Sequence, residues 1–306
     1  MKSLLNDGRR AVALALCVVL AFRLIHMHFA LAGPMTWQMG ADEDFYWRFA
    51  RDVAGGTGGL TDEFAFMDPL YGYLLGVVMK LGAGAFPMYV LQIAVDCLSA
   101  LGMYRIAVLL GRPRAGLIAM LVYAVTGTAI AYTMALLKAT WVAAFVVWWI
   151  YVALRLSQTP RRVAWFWFGI FCGIGVALRA NLLLMVPLAL LSVGWLRWRA
   201  GEPPRATASR AALLLIGLSL PLALLIARNI AISDKFSPMP NNGGIVLHQI
   251  YNADNPEGRA GVPAFVGRYT APGEIWDGYR AEAERRAGHP LAPQAVDGYW
   301  RARAMD

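Results

Sequence analysis

Three consecutive carboxylates, Asp42, Glu43 and Asp44, stand beside Phe45, Tyr46 and Trp47 directly after the first long apolar run. A carboxylate at a membrane boundary stays ionised yet can face an intramembrane cavity, which suits a general base. Solvation of a loop, or a place in the first turn of an interfacial helix, explains the same charges without chemistry. The basic candidates lie far downstream. Lys138 and Arg179 interrupt apolar sequence, Arg228 with Asn229 closes the last apolar run, and His248 follows shortly after. An ionisable side chain between apolar runs is costly to bury unpaired and so is a functional candidate, although a long cation can also snorkel to headgroups. Several cations and one carboxylate cluster describe a pocket that neutralises a phosphate while activating a nucleophile. The chain has no Walker loop, His-Glu-x-x-His zinc site or nucleophile elbow.

The elements that must position these residues are set by composition. The chain has 306 residues, 58% of them hydrophobic and only 15% charged, with a mean hydropathy of +0.50. It is too apolar for a water-covered domain and reads as an all-α polytopic membrane protein. The formal charge of +9 comes with Arg scattered in short clusters such as Arg112 and Arg114, Arg161 and Arg162, and Arg197 and Arg199. Such clusters hold loops on the cytoplasmic side and do not describe a nucleic-acid surface. Cys17, Cys97 and Cys172 each lie within an apolar run and lack metal-ligand spacing, which argues against a disulfide framework.

The first apolar run, Ala11 to about Ala32, reads as a retained span. Arg23, His26 and His28 in its outer half are expected to reach the interface. Residues 33–68 form a polar loop with the acidic cluster, Asp62, Glu63 and Asp68. Its run Gly55-Gly56-Thr57-Gly58-Gly59 reads as a turn, not a phosphate loop. A short apolar segment covers 69–81, a full-length one 86–110, and further runs 115–137, 139–156, 163–178, 181–196 and 211–232. The two flanking Arg179 are short enough to be tilted or broken spans. With the N-terminus inside and 69–81 not crossing on its own, the Arg-rich turns fall inside, and the acidic loop, Lys138, Arg179 and the tail fall outside. The chain therefore divides into a transmembrane module, 1–232, and an external segment, 233–306. Short amphipathic helices are expected near Trp276–Arg286 and Ala292–Ala304, with truncation before further membrane helices an open alternative.

The order of these features resembles the superfamily of integral-membrane glycosyltransferases that use polyprenyl-phosphate-linked sugars, the GT-C fold type of protein O-mannosyltransferases and the aminoarabinose transferase. Asp42-Glu43, Tyr46 and Ala50 follow an Asp-Glu-x-x-Tyr-x-x-x-Ala signature. Asp68-Pro69-Leu70-Tyr71 is similar to a Pro-Pro-Leu-Tyr segment, with Asp68 replacing the first Pro. Leu178-Arg179, and Arg228-Asn229 before Gly243-Gly244, match the same layout. The resemblance implies a multi-pass protein of the bacterial inner membrane whose site faces the periplasm or exterior. It implies Asp42 as the catalytic base, with Glu43 orienting the loop or assisting a divalent cation. Lys138, Arg179, Arg228 and His248 would hold the donor phosphate, and Tyr46, Asp68, Tyr71 and Asn229 would line the substrate cavity. The implied reaction is an inverting transfer from a polyprenyl-phosphate sugar to a protein, lipid or glycan acceptor. An anionic-lipid transporter and a non-catalytic scaffold are the competing readings.

Overall fold

In the computed structural model every regular element among the described residues is helical, as backbone in lipid requires if it is to satisfy its own hydrogen bonds. The structure describes residues 2–33, 39–82, 84–158, 161–199, 201–252, 255, 258, 261, 263–266 and 274–304. Five stretches are long and apolar enough to cross a membrane: Gly8–Ala32, Phe86–Leu109, Ala139–Ser157, Ala180–Arg199 and Pro204–Ser233. Leu70–Lys80, Pro113–Ala124 and Val163–Leu178 are shorter apolar helices. The chain is an all-α polytopic membrane protein.

The chain forms two compact units, Met1–Gln38 with Ala83–Pro221, and Met39–Gly82 with Leu222–Asp306. The first holds α1 (Lys2–Ala32), α4 (Phe86–Leu109), α5 (Pro113–Ala124), α6 (Gly127–Tyr132), α7 (Ala139–Ser157), α8 (Val163–Leu178), α9 (Met185–Arg199) and α10 (Pro204–Ser233) as far as Pro221. Small residues let these helices approach closely, the usual device where hydrophobic burial gives no net drive. A Cβ on Gly169 of α8 would lie 2.0 Å from the Leu214 carbonyl, and one on Gly217 of α10 would lie 2.0 Å from the Phe166 carbonyl. Ala15 and Val19 of α1 pack with Ala100 of α4 and with Met120 and Ala124 of α5.

Three features depart from the sequence expectation. Residues 33–68, expected as a polar loop, contain a 15-residue helix, Ala41–Gly55. Arg23, expected at the interface, is wholly buried. Its Nε donates to Asp96 Oδ2 at 2.7 Å, while its Nη1 and Nη2 donate to the carbonyls of Ala124 at 2.6 Å and Tyr123 at 3.1 Å. Asp96, midway along α4, also accepts the Tyr123 hydroxyl proton. Buried opposite charges are tolerable when paired and further hydrogen-bonded, so Arg23 turns inward. The run 115–137 is also not one span. It breaks after Ala124 and resumes as the short α6. The broken end leaves carbonyls without intrahelical partners, and Arg23 caps two of them. The expected irregularity at Arg179 is present: this residue ends α8 in extended conformation (φ −155°, ψ 115°), and a 3-10 turn, Ala180–Leu184, leads into α9.

The second unit holds α2 (Ala41–Gly55), α3 (Leu70–Lys80), the rest of α10, α11 (Gly243–Ile250), α12 (Glu274–Ala287) and α13 (Pro293–Arg303). The two tail helices anticipated from the sequence correspond to α12 and α13. Phe49 of α2 sits where Gly72 of α3 has no side chain, since a Cβ there would approach its ring to 2.3 Å. Gly56 (φ 97°) ends α2 in the left-handed conformation that glycine adopts without a Cβ clash. Asp297 of α13 accepts the Gly244 amide at 2.5 Å, joining α13 to the start of α11. Buried Trp300 donates to the Tyr279 carbonyl at 3.0 Å, fastening α13 to α12. The acidic loop is tied to this tail by the Arg280–Asp62 ion pair at 2.8 Å, by Phe66 stacked on Trp276 at 5.7 Å, and by the Asn241 amide on the Ala65 carbonyl at 2.9 Å.

Candidate active site

The acidic cluster occupies the first turn of α2, where the helix dipole favours negative charge. Asp42 is exposed there. Glu43 reaches back to accept the Gly40 amide at 2.8 Å, satisfying one of the donors that a helix start leaves open. Asp44 accepts from Arg48 at 3.2 Å, and Arg48 also pairs with Glu63. The three acids therefore differ: Glu43 caps the helix, Asp44 joins a surface ion-pair chain, and Asp42 stands at the helix start.

One turn past Asp42, on the same face, Tyr46 is fully buried. Its hydroxyl donates to the Asp68 carbonyl at 3.4 Å, and its ring meets Tyr71 edge-on at 5.0 Å. The start of α3 thus comes against the start of α2. Asp68 is buried at 6% exposure and Tyr71 is fully covered, so both signature segments, Asp42 to Ala50 and Asp68 to Tyr71, meet in one place.

The remaining candidates are distributed. Arg228 and Asn229, near the end of α10, belong to the same unit as Asp42. The Arg228 guanidinium contacts Tyr73 and the Phe64 carbonyl, and Asn229 contacts the carbonyls of Ser237 and Met239. His248 lies in α11 against Trp300 (4.5 Å) and Tyr279 (5.9 Å), inside the aromatic core of the tail helices. Just past α10, burial lowers the lysine value of Lys235, whose ammonium donates to the Pro240 carbonyl at 2.8 Å.

Lys138 and Arg179 belong to the first unit. Lys138 is half-buried immediately before α7, and Arg179 is exposed at the α8 end. A cavity of about 310 Å³ in that unit is lined by Asp96, Tyr123, Thr126, Thr128 and Tyr132, and by Ala139 and Thr140, which directly follow Lys138. Sequence reasoning missed Asp96. The available signal was an acid in the middle of a full-length apolar run. Tyr73 and Phe49, which enclose Arg228, carried no chemical signal in the sequence. Among the described residues, no group of three or more His, Cys, Asp or Glu side chains is arranged to hold a metal ion.

Comparison with known proteins decides the family. Residues 67–227, more than half the chain, match the family described as dolichyl-phosphate-mannose-protein mannosyltransferase. The chain belongs to that family. It is also 26% identical over 231 residues to the undecaprenyl phosphate-alpha-4-amino-4-deoxy-L-arabinose arabinosyl transferase 1 of Sodalis glossinidius (strain morsitans), covering 72% of this chain and 41% of the relative. The chain thus spans about two fifths of that relative's length. No solved structure matches it. The family match begins at Met67, beside Asp68, and ends at Ala227, just before Arg228.

Proposed function

We propose that the chain forms part of a membrane glycosyltransferase that moves a sugar from a polyprenyl-phosphate donor to an acceptor at the external membrane face. The observation that carries this reading is the meeting of the Asp42–Ala50 and Asp68–Tyr71 segments in a chain of this family. Asp42 takes the proton from an acceptor hydroxyl or amine as that atom attacks the anomeric carbon. The bond from the anomeric carbon to the phosphate oxygen breaks, the electron pair leaves with the polyprenyl phosphate, and a single displacement inverts the anomeric centre. Tyr46 and Tyr71 form the apolar wall behind α2, and Asp68 fixes Tyr46 through its carbonyl. Lys138 and Arg179 are proposed from residue type and position as cations for the leaving phosphate, which departs more easily when neutralised.

The test is sugar transfer by the full-length protein in liposomes, with a panel of radiolabelled polyprenyl-phosphate sugars and a membrane extract as acceptor source. Stoichiometric release of polyprenyl phosphate with an inverted product linkage is expected. Movement of intact donor across the bilayer without release would establish the transporter reading instead.

A further inference from the structure

Near the end of α10, Arg228 and Asn229 reach two different loops of the second unit. Arg228 Nε donates to the Tyr73 hydroxyl at 3.1 Å, and its Nη2 donates to the Phe64 carbonyl at 3.0 Å and, at the limit of bonding, to the Gly59 carbonyl at 3.5 Å. Its Nη1 donates to the Asn229 side-chain oxygen at 3.3 Å. The guanidinium lies over the rings of Phe49 and Tyr73, 5.5 and 5.8 Å from their centroids. Among the described residues every acceptor it meets is neutral. Asn229, 5% exposed, donates from Nδ2 to the carbonyls of Ser237 at 2.8 Å and Met239 at 3.3 Å. The loops are also joined to each other by the Asn241 amide on the Ala65 carbonyl.

A guanidinium is a rigid fork of directed donors, suited to holding several carbonyls in fixed relation. Here it holds a loop with little regular structure of its own. Phe49 connects that loop to the acidic cluster, since it lies seven residues, or about 10 Å along the axis, from Asp42 on one helix face. Its ring stacks on Phe64 at 4.8 Å, and a Cβ on Gly59 would approach it to 1.9 Å, so α2 cannot slide without displacing the loop.

We propose that Arg228 and Asn229 are a positioning pair, not donor ligands. Arg228 locks the segment 59–64 and α3 against Phe49, Asn229 locks 237–239, and together they fix where α2 presents Asp42. The consequence for turnover rests on the role proposed above for Asp42; the mechanical claim does not. A guanidinium engaged by four protein acceptors would have to release them to bind a phosphate.

Two readouts on the full-length protein separate these roles. Amide hydrogen exchange at residues 57–66 should accelerate about tenfold or more in Arg228→Gln and in Arg228→Lys, whose ammonium is a compact charge without the fork. Tyr73→Phe should give a smaller increase in the same peptides, and Asn229→Ala an increase at 236–241, with α7 protection unchanged in all four. In donor binding and turnover, Arg228→Lys should keep the donor Kd within about twofold while kcat falls about tenfold or more. Unchanged exchange at 57–66 together with a donor Kd weakened tenfold or more would overturn the proposal and return Arg228 to the phosphate. If the parent transfers no sugar, the base assignment fails by itself, and the exchange measurement still decides the positioning claim.

Discussion

A wholly buried charge is costly unless it is paired, and Arg23 finds its counter-charge in Asp96, 73 residues away. Replacing a buried pair by apolar residues is often neutral, whereas removing one partner strands the other charge. Arg23→Met should therefore destabilise the protein by about 3–5 kcal/mol, with most of the loss recovered in the Arg23→Met, Asp96→Leu double variant. Unfolding in detergent measures both; a single variant as stable as the parent would mean that Asp96 is not desolvated. The sequence displayed both charges within apolar runs, but pairing them requires knowing which faces of α1, α4 and α5 meet. Asp42 was singled out on a local basis instead: its neighbours at i+1, i+4 and i+8 carry a pattern within one helix, so its proposed role was argued without any long-range contact.

Helices were the most legible level, because their existence follows from apolar length and the demand that buried backbone pair with itself. Their interruptions were less so. The break after Ala124 is capped by Arg23 arriving from α1, a long-range contact, whereas the break at Arg179 falls between two runs that were already short. The tail helices carry their own charge logic. Hydrogen bonding from Arg285, opposed by partial burial and reinforced by Arg286, holds Glu282 down at about 2. Its folded value is depressed, so its contribution to α12 is present above the ordinary glutamate value and lost as pH falls toward about 2. Amide protection of α12, corrected for intrinsic exchange, should therefore drop across that window, and Glu282→Gln should flatten the dependence. An unchanged pH profile in Glu282→Gln would show that the ion pairs of this face add nothing in solution.

At the scale of the molecule, the acidic loop and the tail share one compact unit although α4 to α9 separate them in sequence. Linear composition marked a change at residue 232, but not that association, which arises from Arg228, Arg280, Asn241 and Phe66 contacts. Both segments should then face the same side of the membrane. Cysteines introduced at Thr57 and Gly258 should label with an impermeant thiol reagent from outside intact cells; labelling of only one without permeabilisation would exclude the shared side. The central claim concerns chemistry, and Asp42→Asn tests it most directly against Asp44→Asn. Asp44 is engaged with Arg48 in a partly exposed ion pair worth about 1 kcal/mol or less, so its amide variant should fold and turn over nearly as the parent does. Asp42→Asn keeps shape but loses the base, so turnover should fall by about two orders of magnitude or more while donor affinity is retained. Sugar transfer by Asp42→Asn at the parental rate, on matched folded preparations of the full-length protein, would contradict the assignment.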